Sequence, residues 1–294
     1  MRIVTDSGVD LSPEQRANMP KISIVPLTIN LDGKSYRSGV DVLPEEFYQI
    51  LENAEGLPIT SQPPAGEFAE LYRELAGDDP DILVITISSG LSGTFNSAQA
   101  GAEMVPEANV TVFDTKTLSI AQGWHVEAAA RAVQAGWERA QILDLLERIR
   151  DASDTIFTLS DLTYLIHGGR ISHIRGLVAS VLNIKPIIGV EHVGGTYEQR
   201  GRARSFKRAI LSLADQIKQQ HGAGAELRTQ IVYADNFEGA SRLRAHMDEM
   251  FDCHWLPSSP LSPVLGAHTG PSLVGITFAP YTLFDDLPWA EVAP

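Results

Sequence analysis

The apolar run Ile82-Leu83-Val84-Ile85-Thr86-Ile87 ends in the loop Ser88-Ser89-Gly90-Leu91-Ser92-Gly93-Thr94, and a helix-like segment follows. A short apolar run bounded by a turn-rich loop reads as a buried strand. A strand that passes through a loop into a helix is the unit from which parallel sheets are built. In an open parallel sheet, ligands bind outside the carboxyl ends of the strands, and a helix N-terminus there offers unpaired N–H groups and a positive dipole end. The loop therefore reads as a cradle for a negatively charged guest. It reads equally as a turn in which Ser92 or Thr94 caps the next helix. Local pattern leaves both open.

The same alternation runs through the chain. Arg2 to Thr5 is strand-like, and Ser12-Pro13-Glu14-Gln15 carries a cap, a first-turn proline and a capping box. Ile22 to Leu31 reads as one strand. Helices are expected from Pro44, around Phe68, Leu71, Tyr72 and Leu75, and over Leu118 to Gln134 and Arg139 to Asp151. Near residue 152 the pattern changes. Strands at Thr155 to Leu159, Lys185 to Val190, Tyr197 to Arg204, Thr229 to Tyr233 and Ser272 to Phe278 are interleaved with helices at Leu177 to Leu182, Phe206 to Gln219 and Glu238 to Met250. The expectation is two α/β domains, residues 1–152 with a mainly parallel sheet and residues 153–294, whose last segment can pack back on the first.

Composition removes several function classes. The 294 residues include 37 Asp and Glu against 23 Lys and Arg, a net charge of -14 that suits neither nucleic acid nor anionic lipid headgroups. Cys253 is the single cysteine, which excludes an intrachain disulfide and leaves too few thiols for a zinc ribbon or iron–sulfur site, and a reducing cytosol is the expected compartment. No stretch approaches the length of a membrane span. G-x-S-x-G, the complete phosphate loop, H-E-x-x-H and a strand-borne G-x-G-x-x-G are all missing.

Three other segments carry polar groups suited to chemistry. Pro58-Ile59-Thr60-Ser61-Gln62-Pro63-Pro64 sets two hydroxyls and an amide in a proline-stiffened stretch, either a rigid linker or a hydrogen-bonding edge with Thr60 turned to a pocket. His167-Gly168-Gly169-Arg170-Ile171-Ser172-His173 combines two imidazoles, a guanidinium and a glycine pair that permits close backbone approach. Gly266-Ala267-His268-Thr269-Gly270-Pro271 places a histidine in a tight loop before the last strong strand. Ser92 and His268 could also join an aspartate in a hydrolytic triad, since triads are defined by geometry and not by chain order.

In order along the chain, Ile3-Val4-Thr5-Asp6-Ser7, Val25-Pro26-Leu27 with Asp32-Gly33, Thr60-Ser61-Gln62-Pro63, Ser92-Gly93-Thr94, Phe113-Asp114-Thr115, Gly168-Gly169-Arg170-Ile171, Ile184-Lys185-Pro186-Ile187 and His268-Thr269-Gly270-Pro271 resemble the DegV family of bacterial fatty-acid-binding proteins. The resemblance implies two α/β domains that enclose one long-chain fatty acid, such as palmitate, with its carboxylate at the domain junction. It assigns the carboxylate to Thr60, Ser92 and the Gly93 N–H, and a supporting polar network to Ser61, Arg170 and His268. It further implies a cytosolic carrier without a cofactor or catalytic residue of its own, which hands the fatty acid to a separate ATP-dependent fatty acid kinase for acyl-phosphate formation in phospholipid synthesis. The alternative is an ester or thioester hydrolase dependent on Ser92 and His268. A monomer is the expected state.

Burying roughly fifteen tail carbons at about 0.8 kcal/mol each yields on the order of 12 kcal/mol, against an association cost of roughly 4 to 15 kcal/mol. The tail must then supply most of the affinity, and the donors at the head group offset its desolvation and fix its position. Leu177, Val178, Val181, Leu182, Ile184, Ile187 and Ile188 are a candidate tail lining, or ordinary core. Arg200, Arg202, Arg204, Lys207 and Arg208 form the one dense basic run, either a solvated face or, at Arg202 and Arg204, a docking surface for the kinase.

Overall fold

The computed structural model describes residues 1–19, 22–171 and 184–285. The first half forms β1 (Arg2–Asp6), α1 (Pro13–Ala17), β2 (Ser23–Val25), β3 (Thr28–Leu31), β4 (Lys34–Arg37), α2 (Pro44–Glu52), β5 (Ile59–Ser61), α3 (Ala65–Ala76), β6 (Asp81–Thr86), α4 (Thr94–Glu103), β7 (Asn109–Asp114), α5 (Ser119–Gln134) and α6 (Arg139–Ala152). The second forms β8 (Asp154–Thr158), α7 (Thr163–His167), β9 (Lys185–Val190), β10 (Tyr197–Ala203), α8 (Phe206–His221), β11 (Glu226–Tyr233), α9 (Phe237–Asp248), β12 (Asp252–Trp255), β13 (Ser259–Pro260), α10 (Pro263–Thr269) and β14 (Val274–Pro280), then a 3-10 turn at Tyr281–Phe284.

The apolar run that anchors the sequence reading is β6, in a four-stranded parallel sheet of order β2-β1-β6-β7. Both of its faces are covered. Leu83 and Ile85 join the large core, while Ile82 and Val84 pack with Phe68, Tyr72 and Ala98 of α3 and α4. Such two-sided burial is why the run is continuously apolar. From β1 the chain places β2 on one side and β6 on the other, so the topological switch point lies at the carboxyl ends of β1 and β6. Asp6 ties these ends together by accepting hydrogen bonds from Ile87 N at 2.7 Å and Gly8 N at 2.8 Å.

Strands β8 to β14 all belong to a second, mixed sheet of order β10-β9-β8-β14-β11-β12, with β13 also paired to β11. Sheet membership thus changes after α6. The largest hydrophobic cluster nevertheless runs from Ile3 to Phe284. Helix α5 bridges the halves: Trp124 Nε1 donates to Gln230 Oε1 at 2.7 Å, and Glu127 accepts from Gln15 of α1 and Arg228 of β11. Phe284 packs edge-on against Trp124 with ring centroids 5.5 Å apart, so the turn after β14 lies on the first half.

Two readings are corrected. Ile22 to Leu31 is not one strand, because Pro26 lacks the N–H a ladder needs; β2 stays in the parallel sheet and β3 enters a three-stranded antiparallel sheet of order β4-β3-β5. The loop around His268 is the helix α10, whose seven residues are all buried. The helix expected at Leu177 to Leu182 lies outside the described residues. Among those described, no helix is long and apolar enough to cross a membrane.

Candidate functional site

Strand alternation decides what the proline-stiffened segment presents. In β5, Thr60 pairs with Ile29 of β3 and turns inward, while Ile59, 54% exposed, and Ser61 turn out. Ser61 therefore stands on the outer face, away from Thr60. Gln62 then lies against the serine loop, where a Cβ on Gly93 would meet its Nε2 at 2.9 Å.

Thr60 Oγ1 is 2.7 Å from His268 Nε2 of α10. Burial, then the charges of Arg170 and His167, pushes the His268 pKa down to about 3, so its imidazole is neutral at physiological pH. A neutral imidazole has one donor nitrogen. With the proton on Nε2 it donates to Thr60 Oγ1, and the Thr60 hydroxyl hydrogen is free to point elsewhere. Nδ1 of His268 is buried without a hydrogen-bond partner and faces Gly168, where a Cβ would lie 2.0 Å from it. The glycine pair thus has two separate causes: Gly168 allows the imidazole to approach, and Gly169 takes a positive φ of 73°. The turn holds Arg170 in place, its Nη1 donating to Gly168 O at 2.6 Å and its Nε to Leu91 O at 3.4 Å.

Ser92 occupies the turn before α4, with its N–H donating to Ser88 O at 3.1 Å. Its Oγ accepts from Thr94 N at 3.3 Å and lies 2.8 Å from Thr94 Oγ1. When the Thr94 hydroxyl donates in that contact, the Ser92 O–H is also free. Gly93 is the cap residue of α4, and among the described residues nothing accepts from its N–H. The loop is fastened from the second half, as Ser88 Oγ donates to Gly195 O at 2.7 Å.

These groups meet in a cavity of about 30 Å³. Thr60, Ser92, Arg170 and His268 line it together with Tyr197 and the apolar side chains of Leu27, Ile87, Leu91, Leu118, Val264 and Leu265. No carboxylate is among them, in a chain of net charge -14. The arrangement offers hydroxyls, one neutral imidazole and one guanidinium to a single small group, with apolar walls around it. Its volume suits one small polar group.

The resemblance groups Thr60, Ser92, Arg170 and His268, and the fold brings the four together around one cavity. It does not bring Ser61, nor Arg202, exposed near the end of β10 and roughly 17 Å along the strand from Tyr197, nor Arg204, exposed just beyond that strand. Of the candidate tail lining, Leu177, Val178, Val181 and Leu182 lie outside the described residues. Ile187 packs in the core beneath α8 and Ile188 in the large cluster, and neither lines the cavity. Tyr197, at the first position of β10, was missed, since an aromatic residue opening a strand has no pattern that distinguishes it from core.

The mixed α/β fold sets two hydroxyls, an imidazole and a guanidinium around one cavity near the carboxyl end of a parallel strand. The chain belongs to the DegV family: residues 1–281 match the family model described as "Uncharacterised protein, DegV family". It is 36% identical over 275 residues to a DegV domain-containing protein of Staphylococcus aureus, covering 93% of this chain and 96% of that one. Its structure is similar to that of a DegV family protein from Thermus thermophilus, described by its fatty acid binding, with a TM-score of 0.86, 31% identity and coverage of 95% and 100%. It is also similar to DegV of Bacillus subtilis, a fatty acid binding protein, with a TM-score of 0.84, 28% identity and coverage of 95% and 98%.

Proposed function

We propose that the protein binds one long-chain fatty acid, such as palmitate, with its carboxylate held by Thr60, Ser92 and the Gly93 N–H and its tail buried. The observation that carries this reading is the lining of the cavity: among the described residues, the hydroxyls of Thr60 and Ser92 and the guanidinium of Arg170 converge with no opposing carboxylate, inside apolar walls. A desolvated anion needs such donors, and hydrogen bonds to a charged group contribute about 1.5–3 kcal/mol each. Arg170 supplies the compensating charge, and His268 orients Thr60. The fatty acid binding ascribed to the relatives from Thermus thermophilus and Bacillus subtilis supports the same ligand class.

In this reading the protein is a cytosolic carrier, not a catalyst, and offers its carboxylate to a separate ATP-dependent fatty acid kinase. Arg202 and Arg204, exposed in an otherwise acidic chain, are the surface assigned to that kinase. The hydrolase reading fits the geometry less well. His268 Nε2 is engaged with Thr60 and not Ser92, no carboxylate contacts its ring among the described residues, and an imidazole held at about 3 is a poor general base at neutral pH.

Mass spectrometry of an organic extract from the purified protein tests the proposal. A stoichiometric long-chain fatty acid is expected. Absence of any fatty acid, together with esterase activity abolished by Ser92→Ala, would replace the carrier with the hydrolase.

A further inference from the structure

Three tyrosines are nearly or wholly buried among the described residues: Tyr48 at 7% exposure, Tyr72 at 0% and Tyr197 at 4%. A buried phenol ordinarily finds a partner, because an unpaired hydroxyl away from water forfeits a hydrogen bond. Tyr48 donates to Leu261 O and Tyr72 to Ala98 O. The Tyr197 hydroxyl has no hydrogen-bond partner among the described residues, and Tyr197 lines the cavity with Thr60, Ser92, Arg170 and His268.

Its ring is fixed. The residue opens β10, where it pairs with Val190 of β9, and its ring meets that of Phe157 edge-on at 5.4 Å. The hydroxyl lies within the field of Arg170, and burial raises its pKa well above the ordinary phenol value, so it stays protonated and can donate. A donor without a partner among the described residues, sharing with a guanidinium a cavity that no described carboxylate lines, is matched by an anionic oxygen.

We infer that the Tyr197 hydroxyl is a further donor to the ligand's carboxylate, contributed by the second half of the chain beside Thr60 and Ser92 of the first. This rests on the fatty-acid reading and extends it. The head group is then held by donors from three separate strands or strand ends: β5, the loop after β6, and β10. The donor set favours an ionised carboxylate over a neutral ester of the same chain length. Because β10 continues toward Arg202, the strand that contacts the head group also carries the basic surface.

The test uses the delipidated full chain with palmitate labelled with carbon-13 at its carboxyl carbon. Tyr197→Phe keeps the ring packed on Phe157 and removes one hydroxyl, so its thermal unfolding should match that of the wild type. Loss of a hydrogen bond to a charged group should weaken palmitate binding about tenfold and raise the pKa of the bound carboxyl, read from its carbon-13 shift. In the wild type, the Tyr197 Cζ resonance should move when palmitate is added, a readout independent of any variant. Unchanged affinity and bound-carboxyl pKa in Tyr197→Phe, with a stationary Cζ resonance in a wild type that binds palmitate, would overturn the assignment and leave the fatty-acid reading standing. A wild type that fails to bind palmitate would instead overturn that reading, and this assignment with it.

Discussion

Thr60 Oγ1 and His268 Nε2, 208 residues apart in sequence, lie 2.7 Å apart in the fold. The contact joins a three-residue strand of the first half to a seven-residue buried helix of the second. It also determines where the hydroxyl hydrogen of Thr60 can go. A neutral imidazole that donates to Thr60 leaves that hydrogen for a ligand oxygen, so the pair acts as one donor unit.

Thr60→Val and His268→Asn should therefore weaken palmitate binding non-additively. Each removes the same ligand contact, so the double variant should lose about as much affinity as the Thr60 variant alone, on the order of tenfold. Titration of the four proteins checks this. Additive losses would show two independent contacts.

Gly168→Ala places a methyl carbon 2.0 Å from His268 Nδ1. Helix α10 or the turn carrying Arg170 must shift, at a cost of about 1–3 kcal/mol. A lower unfolding temperature and weaker palmitate binding are expected together. At Gly136, whose φ is 77°, a Cβ meets nothing within 4 Å, so Gly136→Ala should lower the unfolding temperature through backbone strain and leave binding alone.

Acid stability has two opposed contributions. Burial, followed by lesser terms, lowers His125 to about 4 and His268 to about 3, so the unfolded chain takes up these protons first and stability falls as pH drops below 6.5. Burial raises Asp6 and Asp10 to about 6, so there the native state takes up protons first, and stability rises as pH falls from 6 toward 3.8. Asp10→Asn removes one rising contribution and should lose stability more steeply than the wild type between pH 6 and 4. Urea unfolding at several pH values measures the difference, and parallel curves would contradict it.

Arg202→Glu with Arg204→Glu should leave palmitate affinity unchanged, because both side chains are exposed and neither lines the cavity. Acyl-phosphate formation with a fatty acid kinase should fall steeply and show a weaker salt dependence. An unchanged rate would remove this surface from the docking account.

The parts of the fold legible in the sequence are those with long or two-sided apolar patterns. β6 is covered on both faces, and α6 buries Ile142, Leu145, Leu146 and Ile149 on one stripe. The elements that went unassigned lack such a pattern. β5 is too short for alternation to show, and α10 begins at Pro263, contains Gly266 and is buried on every side, so no polar face marks it as a helix. That Thr60, Ser92, Arg170 and His268 share one cavity was legible through the resemblance to the DegV family, not through any one of their motifs. The exclusion of Ser61 follows from strand alternation once β5 is known, and the place of Tyr197 depends on pairing between β9 and β10 that sequence alone does not reveal.

The most direct test of the carboxylate site is calorimetric titration of palmitate into the delipidated wild type and Ser92→Ala. Removal of Ser92 Oγ takes away one free donor at the N-terminus of α4 while leaving the apolar walls in place. One molecule of palmitate should bind per chain, about tenfold more weakly in the variant. Equal affinities would show that Ser92 does not hold the carboxylate, and no heat of binding to the wild type would contradict fatty acid binding itself.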